Sequence, residues 1–569
     1  MKIKYSPFVF VVLAVVAGFL GNSYFRNENI ENSKVSIPKP VKSVRQIING
    51  KKSNSKFDNV RLFDYKTTDV KSSGLEQYIK SGTLLNLKID NLRELVNSKK
   101  ENIILEIPLD DKSSVNFELT IIPILSDDFR VTMITANGVV PFTYKPGVYY
   151  KGIIKDNPNS TVSISIFENS VMGIVSDETG NYNLGVLNDD KNRGSYIYYS
   201  ERDLLVKNKF KCRVDDSGKM RIQNNNNISN NNFDNTNVRL PVKIYFVADY
   251  QMFLDHKSNI DSVGDYITGF FNEVSTIYQN DFLPVQISEI RVYAIPDPYI
   301  KLNDAYEILL HFSDDLKDNF NGNLAHLLST RNPNFGGISW INTLCSNYNP
   351  SNSSGRFSFC GIDNTYSRFP TYSWTVMVDA HEMGHSFGSR HTHDCVWPIT
   401  QTSIGQIDTC FSSSETCVHY RVPNYNGTLM SYCEIYYGVN FSLGFGSLPG
   451  DTVRLRYLQC STFENVENSS ELPVAFDLSQ NYPNPFNPST TIKFDVSQNA
   501  FITLKVYDIS GREIAVLLNN KFYARGHNNI VFNTDRYNLS GGVYFYKLVA
   551  STSGSGNIFS EVKKMILLK

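Results

Sequence analysis

The chain has 569 residues, 41% hydrophobic and 13% aromatic, with 55 basic and 56 acidic side chains and a formal net charge of -1. That length exceeds one ordinary domain and predicts roughly three or four units, each able to bury its own core. The near-balanced charge argues against nucleic acid or an anionic membrane as the main partner, and the many Tyr and Phe residues favour β-rich architecture.

Lys2 and Lys4 precede an apolar run from Phe8 to Leu20, followed by Gly21, Asn22 and Ser23. The run is shorter than the roughly 20 residues that span a bilayer and ends in small residues, so residues 1–23 read as a secretory signal peptide and no transmembrane helix is expected in the mature form. Export makes the eight cysteines readable as disulfide material. Cys345, Cys360, Cys395, Cys410, Cys417, Cys433 and Cys460 cluster downstream, while Cys212 stands alone. An odd number downstream implies one thiol left over or a bridge reaching back to Cys212.

From Tyr24 to Ser73 the sequence is polar and a poor candidate for a compact core. Alternation then appears at Phe117–Leu125, Phe129–Thr135 and Val162–Phe167, with turn residues at Asp127-Asp128, Asn137-Gly138 and Asn157-Pro158-Asn159. This predicts a β-rich N-terminal domain ending near Asp203. Cys212 follows among basic neighbours, Lys209, Lys211 and Arg213, which favour its thiolate. The Asn-rich tract 223–237 cannot support a core and reads as an exposed linker.

Pro241–Asp249 is a nearly continuous apolar run, as in a buried strand. Ile260, Val263, Ile267, Phe270, Phe271, Val274 and Ile277 give the next segment one apolar helical face. A strand at Val285–Tyr293, a helix at Ala305–Phe320 and a strand at Leu324–Leu328 continue the alternation, which predicts a mainly parallel sheet with helices packed on it. Gly336–Asn342 reads as a further strand, and a helix capped by Thr371 or Ser373 leads into His381-Glu382-Met383-Gly384-His385. On that helix His381 and His385 stand one turn apart, both able to reach one ion, with Glu382 beside the open coordination position. Gly388 permits a sharp turn that returns His391 as a third nitrogen ligand.

The run HExxHxxGxxH at 381–391 resembles the metzincin zinc endopeptidases, and its flanks are most similar to the reprolysin branch. The resemblance implies one catalytic Zn²⁺ held by His381, His385 and His391, with Glu382 as general base for the attacking water. Thr392 stands where reprolysins usually carry Asp, with Asp394 two residues later, and His393 is a rival third ligand that the Gly388 spacing disfavours. Gly427–Tyr432 resembles the Met-turn, which implies that Met430 supports the ligands by packing. Tyr432 matches a position where related families bring a Tyr to the metal, as a fifth ligand or transition-state contact; a packed aromatic is the competing reading. By the same resemblance residues 24–222 are a propeptide, the linker 223–237 the site of an activation cut, and residues 238–461 the catalytic domain. Cys212 is then a candidate zinc ligand that keeps a zymogen latent, as in the cysteine switch of related families; a structural or incidental thiol is the competing reading, since its flanks do not match the reprolysin switch sequence closely. The resemblance implies that Gly336–Asn342 is the sheet edge where a substrate adds as an extra strand, with an internal hairpin strand as the competing reading. Disulfides Cys345–Cys460 and Cys395–Cys433 are implied as well, and structural Ca²⁺ is a further option. His256, His311, His326, His419 and His527 lack partner spacing and read as ordinary surface or core histidines.

After a connector at 462–474, residues 475–569 change character. Asn481–Thr490 precedes alternating strands at Thr491–Val496, Phe501–Tyr507 and Val543–Val549, and the end, Lys563–Lys569, completes a resemblance to the C-terminal sorting domain of the type IX secretion system. The expected architecture is a β-rich propeptide, an α/β metzincin (zincin) catalytic domain with a mixed sheet, and a C-terminal immunoglobulin-like β-sandwich. The expected function is a secreted, cell-surface or extracellular zinc metalloendopeptidase made as a zymogen, with protein or peptide substrates and the secretion machinery as partners. An adhesion protein with a non-proteolytic protease-like domain is the alternative.

Overall fold

The computed structural model describes residues 41–188, 192–205, 212, 240–332, 335–363, 369–399, 403–408, 410, 418–419, 427–433, 438–460, 475–481, 483–497, 500–523, 526–534, 537, 539–551 and 557–568. The signal peptide, the linkers 223–237 and 462–474, the basic neighbours of Cys212, and Cys417 lie outside the described residues. Two compact units divide the chain, Met1–Phe463 and Glu464–Lys569.

In the first unit, a ten-stranded sheet runs in the spatial order Asp58–Arg61, Asn102–Pro108, Ser114–Ile121, Val148–Ile154, Asn157–Ile166, Val171–Asp177, Gly180–Val186, Ser195–Ser200, Thr83–Leu87, Phe63–Tyr65. Alternation along these strands places Leu105, Phe117, Tyr150, Ile164, Val175, Leu184 and Tyr196 in one core, joined by Leu92 and Leu95 of the helix Ile89–Ser98. The polar stretch before Ser73 is not coreless, as its composition predicts. Val44 and Ile48 of the helix Val44–Asn54 are buried, and so are Leu62 and Phe63. Short elements added to an existing sheet need only a few apolar residues each, because their neighbours supply the rest of the core.

The second sheet has seven strands in the order Gly337–Ser339, Phe357–Gly361, Leu324–Ser329, Val242–Ala248, Val285–Tyr293, Leu125–Thr135, Gly138–Phe142. The inner strands are parallel and the two outermost are antiparallel to their neighbours, so the sheet is mixed. Its last two strands come from the N-terminal region, far from the others in sequence. A buried carboxylate marks the register there: Glu289 accepts from Arg130 Nε (2.7 Å), Thr132 Oγ1 (2.8 Å) and Arg291 Nη2 (2.9 Å).

The helices Ile260–Asn280 and Tyr372–Ser386 pack into one core against this sheet, and Ala305–Leu316 contributes to another. Periodicity predicts a solvated face on Ile260–Asn280. Instead the helix also packs on the ten-stranded sheet, and Thr268, Asn272, Glu273 and Thr276 on its polar side are fully buried. Asn272 Nδ2 donates to Tyr150 O (3.1 Å) and to Ser165 Oγ (3.1 Å) across that contact. For Asn272, hydrogen bonding to the ten-stranded sheet replaces the water a surface helix would use.

The C-terminal unit contains a three-stranded sheet (Asp477–Leu478, Ser489–Val496, Gly526–Asn533) and a four-stranded sheet (Glu513–Tyr523, Ala500–Asp508, Gly542–Ser551, Asn557–Leu567). Ile492, Phe494, Ile502, Leu504, Val506, Tyr546, Leu548 and Met565 share its core. Three of its long strands were not read from the sequence, among them Asn557–Leu567, which contains most of the terminal Lys/Met/Leu segment. No helix among the described residues is long and apolar enough to cross a membrane.

Candidate metal centre

The helix Tyr372–Ser386 is buried along its whole length. Thr371 occupies the N-cap position but does not cap it, since its hydroxyl donates to Asp363 Oδ2 (2.9 Å). Ser373 does not cap it either. Its backbone N–H donates to Asn183 Oδ1 (3.0 Å), a side chain of the N-terminal sheet, so the cap arrives from another part of the chain. At the other end Gly388 N–H donates to His385 O (2.8 Å) and Ser389 N–H to Gly384 O (3.0 Å). Gly388 has φ +93°, a left-handed conformation that side chains resist, and this ends the helix and turns the chain toward His391.

That turn brings the three imidazoles together. His385 Nε2 lies 3.2 Å from His381 Nε2 and 3.1 Å from His391 Nε2. The fourth donor is Cys212, whose Sγ lies 3.4 Å from His385 Nε2. One donor atom from each of the four lies within 4.8 Å of the others. His381 Nδ1–H donates to Leu429 O (2.8 Å) and His385 Nδ1–H to Ser389 O (2.8 Å), which leaves each Nε2 as the inward lone pair. Burial, with His391 alongside, holds His381 well below the usual imidazole range, so it is neutral as a ligand must be.

This set fits zinc. Three nitrogens and one sulfur are its preferred donors, and a tetrahedron with Zn–N of about 2.05 Å has edges of about 3.3 Å, close to the separations here. The described groups of three or more close donors all include His or Cys, which is not calcium chemistry. His393 falls outside the four-donor group, its ring stacked on that of His391 with centroids 5.0 Å apart.

Glu382 is fully buried beside this group. Burial pushes its carboxyl up to about 8, opposed by hydrogen bonding from Ser339 and Cys212 and reinforced by the negative Asp379. A cation in the site would pull it down again. Cys212 forms a parallel bridge with Gly337 on the outermost strand of the seven-stranded sheet, and Tyr432 donates from its hydroxyl to Cys212 O (3.0 Å). The Tyr432 ring lies 4.7 Å from that of His391. Met430 is fully buried under the helix, so close that a Cβ on Gly384 would stand 2.7 Å from its Sδ. The absent side chain at 384 is what lets the turn approach.

Cys345 is bonded to Cys460, and Cys410 to Cys433. The expected Cys395–Cys433 pair is therefore incorrect; Cys395 is disulfide-bonded elsewhere. Pairing depends on loop paths after His391 that local sequence does not encode. Cys212 and Cys360 are outside the disulfides. His326 and His256 are buried core histidines, with Nδ1 2.7 Å from Asp379 Oδ1 and 2.7 Å from Ser262 Oγ respectively. Asn183, Trp397 and Asp408, which hold parts of the site in place, carry no motif and were not singled out in the sequence.

Residues 239–442 match the family model described as Metallo-peptidase family M12. Residues 480–566 match that of the Secretion system C-terminal sorting domain. Among solved structures, the chain is similar to metalloproteinase-II from Bacteroides fragilis, at 12% identity over 71% of this chain and 98% of that one, with a TM-score of 0.34. It is also similar to OgpA from Akkermansia muciniphila, at 11% identity over 58% and 93%, with a TM-score of 0.21. Latent PorU from Porphyromonas gingivalis matches at 24% identity over 16% of this chain and 9% of that one, with a TM-score of 0.15.

Proposed function

From an M12 metallopeptidase region joined to a secretion sorting domain, which together describe a metalloprotease exported to the cell surface or beyond, we propose a zinc endopeptidase made as a zymogen, with residues 24–222 as propeptide and 238–461 as catalytic domain. His381, His385 and His391 hold the metal. The observation that carries this reading is the convergence of three inward-facing Nε2 atoms, 3.1 and 3.2 Å apart along the group, beside a buried carboxylate.

Bound there, zinc supplies Lewis acidity toward the scissile carbonyl and toward water. Glu382 takes the proton from the attacking water and returns it to the departing amine. A polypeptide substrate lies along Gly337–Ser339, the outermost strand of this sheet among the described residues. In the uncut chain that edge meets Cys212 instead, and its thiol, 3.4 Å from His385 Nε2, would be a further donor to the metal. Latency is thus steric and chemical at once. Tyr432 binds the Cys212 carbonyl in the latent form, and the same hydroxyl serves a substrate carbonyl after the cut.

The test is cleavage of a mixed peptide pool by the chain after limited proteolysis in 223–237, with and without a chelator and alongside Glu382→Gln. Chelation abolishes turnover, and Glu382→Gln keeps its zinc while losing at least about 100-fold in rate. Undiminished cleavage by Glu382→Gln rules the mechanism out.

A further inference from the structure

His381 and His385 ride on one helix, so the helix itself sets their separation. His391 lies beyond the helix end and needs other anchors. Three are backbone contacts: the Trp397 indole N–H donates to His391 O (2.7 Å), Thr392 N–H to Met430 O (3.1 Å), and Ile407 N–H to Thr392 O (2.8 Å). The fourth joins two side chains, the Thr392 hydroxyl donating to Asp408 Oδ2, with Met430 O a second acceptor 3.3 Å from the same hydroxyl.

Asp408 is tied at its other oxygen as well. Oδ1 accepts from Cys410 N–H (3.0 Å), and Cys410 is bonded to Cys433, which follows Met430 in the turn beneath the helix. The circuit from Thr392 through Asp408, Cys410, Cys433 and Met430 back to Thr392 is therefore closed. Thr392 is 1% exposed and Asp408 7%, so neither can exchange its partner for bulk water. A hydroxyl donating to a buried carboxylate is the stronger, charge-assisted kind of hydrogen bond. Asp394, nearer in sequence, has its carboxylate 3.8 Å from Arg390 Nη1 and 3.9 Å from His393 Nε2.

We propose that Asp408 is a positioning residue for the third imidazole: acting through the Thr392 hydroxyl, it fixes the backbone that presents His391 and so slows loss of the metal. The proposal rests on His391 being a ligand, as argued above. Groups that orient ligands without touching the ion typically change metal affinity 10- to 100-fold when removed. Here the effect passes through one hydroxyl, which makes it separable from a general loss of stability.

The experiment measures zinc release from the zinc-loaded full chain to a chromogenic chelator, at a temperature where each variant keeps the wild-type circular dichroism spectrum. Thr392→Val and Asp408→Ala release zinc about 10-fold faster than wild type. Thr392→Ser, which keeps the hydroxyl, releases it at the wild-type rate. The double variant Thr392→Val/Asp408→Ala is no faster than Thr392→Val, because Thr392→Val already removes the hydroxyl through which Asp408 acts. Wild-type release from Thr392→Val, faster release from Thr392→Ser, or a double variant whose acceleration is the product of the single effects overturns the proposal. If His391→Ala retains zinc as wild type does, the ligand assignment fails first and this inference with it.

Discussion

His256 shows how burial sets the pH response of a single residue. It is 7% exposed, and burial pushes its pKa down to about 4. The unfolded chain binds a proton near 6.5 and the folded chain resists it, so the stability is fully present above pH 6.5 and is lost as pH falls toward 4, by about 3 kcal/mol for such a shift. In His256→Gln, thermal unfolding between pH 6.5 and 4 depends less on pH than in wild type; equal slopes would show that the ring is not desolvated. Cys212 makes a different prediction. Its Sγ lies 3.4 Å from His385 Nε2, so under the proposed latency Cys212→Ser, with a weaker metal ligand at that point, gives an uncut chain that cleaves peptides faster than uncut wild type. An inactive uncut Cys212→Ser would remove Cys212 from the latency mechanism. At this scale His381, Glu382, His385 and His391 were legible in the sequence because a helix turn and one glycine fix their spacing locally. Thr392 was legible only as a departure, since the acid that serves it, Asp408, lies 16 residues on and becomes its neighbour only after folding.

The helix bearing the histidines takes its N-terminal cap from Asn183, whose Oδ1 accepts from Ser373 N–H at 3.0 Å and whose Nδ2 donates to Ser373 Oγ at 3.2 Å. Sequence rules look for a cap within a few residues and point to Thr371 or Ser373; the residue that does it is 190 positions away. Asn183→Ala costs about 1 kcal/mol, the usual value of a lost cap. Hydrogen exchange checks this, with faster exchange confined to the first turn of Tyr372–Ser386. Unchanged exchange there would mean that water caps the helix equally well. The helix Ile260–Asn280 makes the same point from its side. Its apolar face follows from periodicity, but Glu273 and Asn272 on its polar face are buried by a second sheet that periodicity cannot announce.

Across the first unit, the Cys345–Cys460 disulfide ties positions separated by 115 residues. In the chain-entropy account a loop of that length contributes about 5 kcal/mol by restricting the unfolded state. Cys345→Ala/Cys460→Ala therefore lowers the denaturant midpoint markedly while leaving the spacing of His381, His385 and His391 intact; an unchanged midpoint would show that the bridge adds no stability. Removal of the C-terminal unit, which has a core of its own, leaves peptide cleavage by the first unit unchanged and abolishes export, as cell fractionation would show. Local pattern determined the strand and helix alternation from Val242 to Leu328, the spacing of the imidazoles and Glu382, and three of the tail's alternating strands, because each depends on residues within one element or one turn. Tertiary structure alone decided that Leu125–Phe142 completes the seven-stranded sheet, that Cys433 pairs with Cys410, that Asn183 caps the helix, and that Cys212 reaches His385. Those contacts join residues far apart in the chain, and their geometry follows from how the cores close, which no local spacing records.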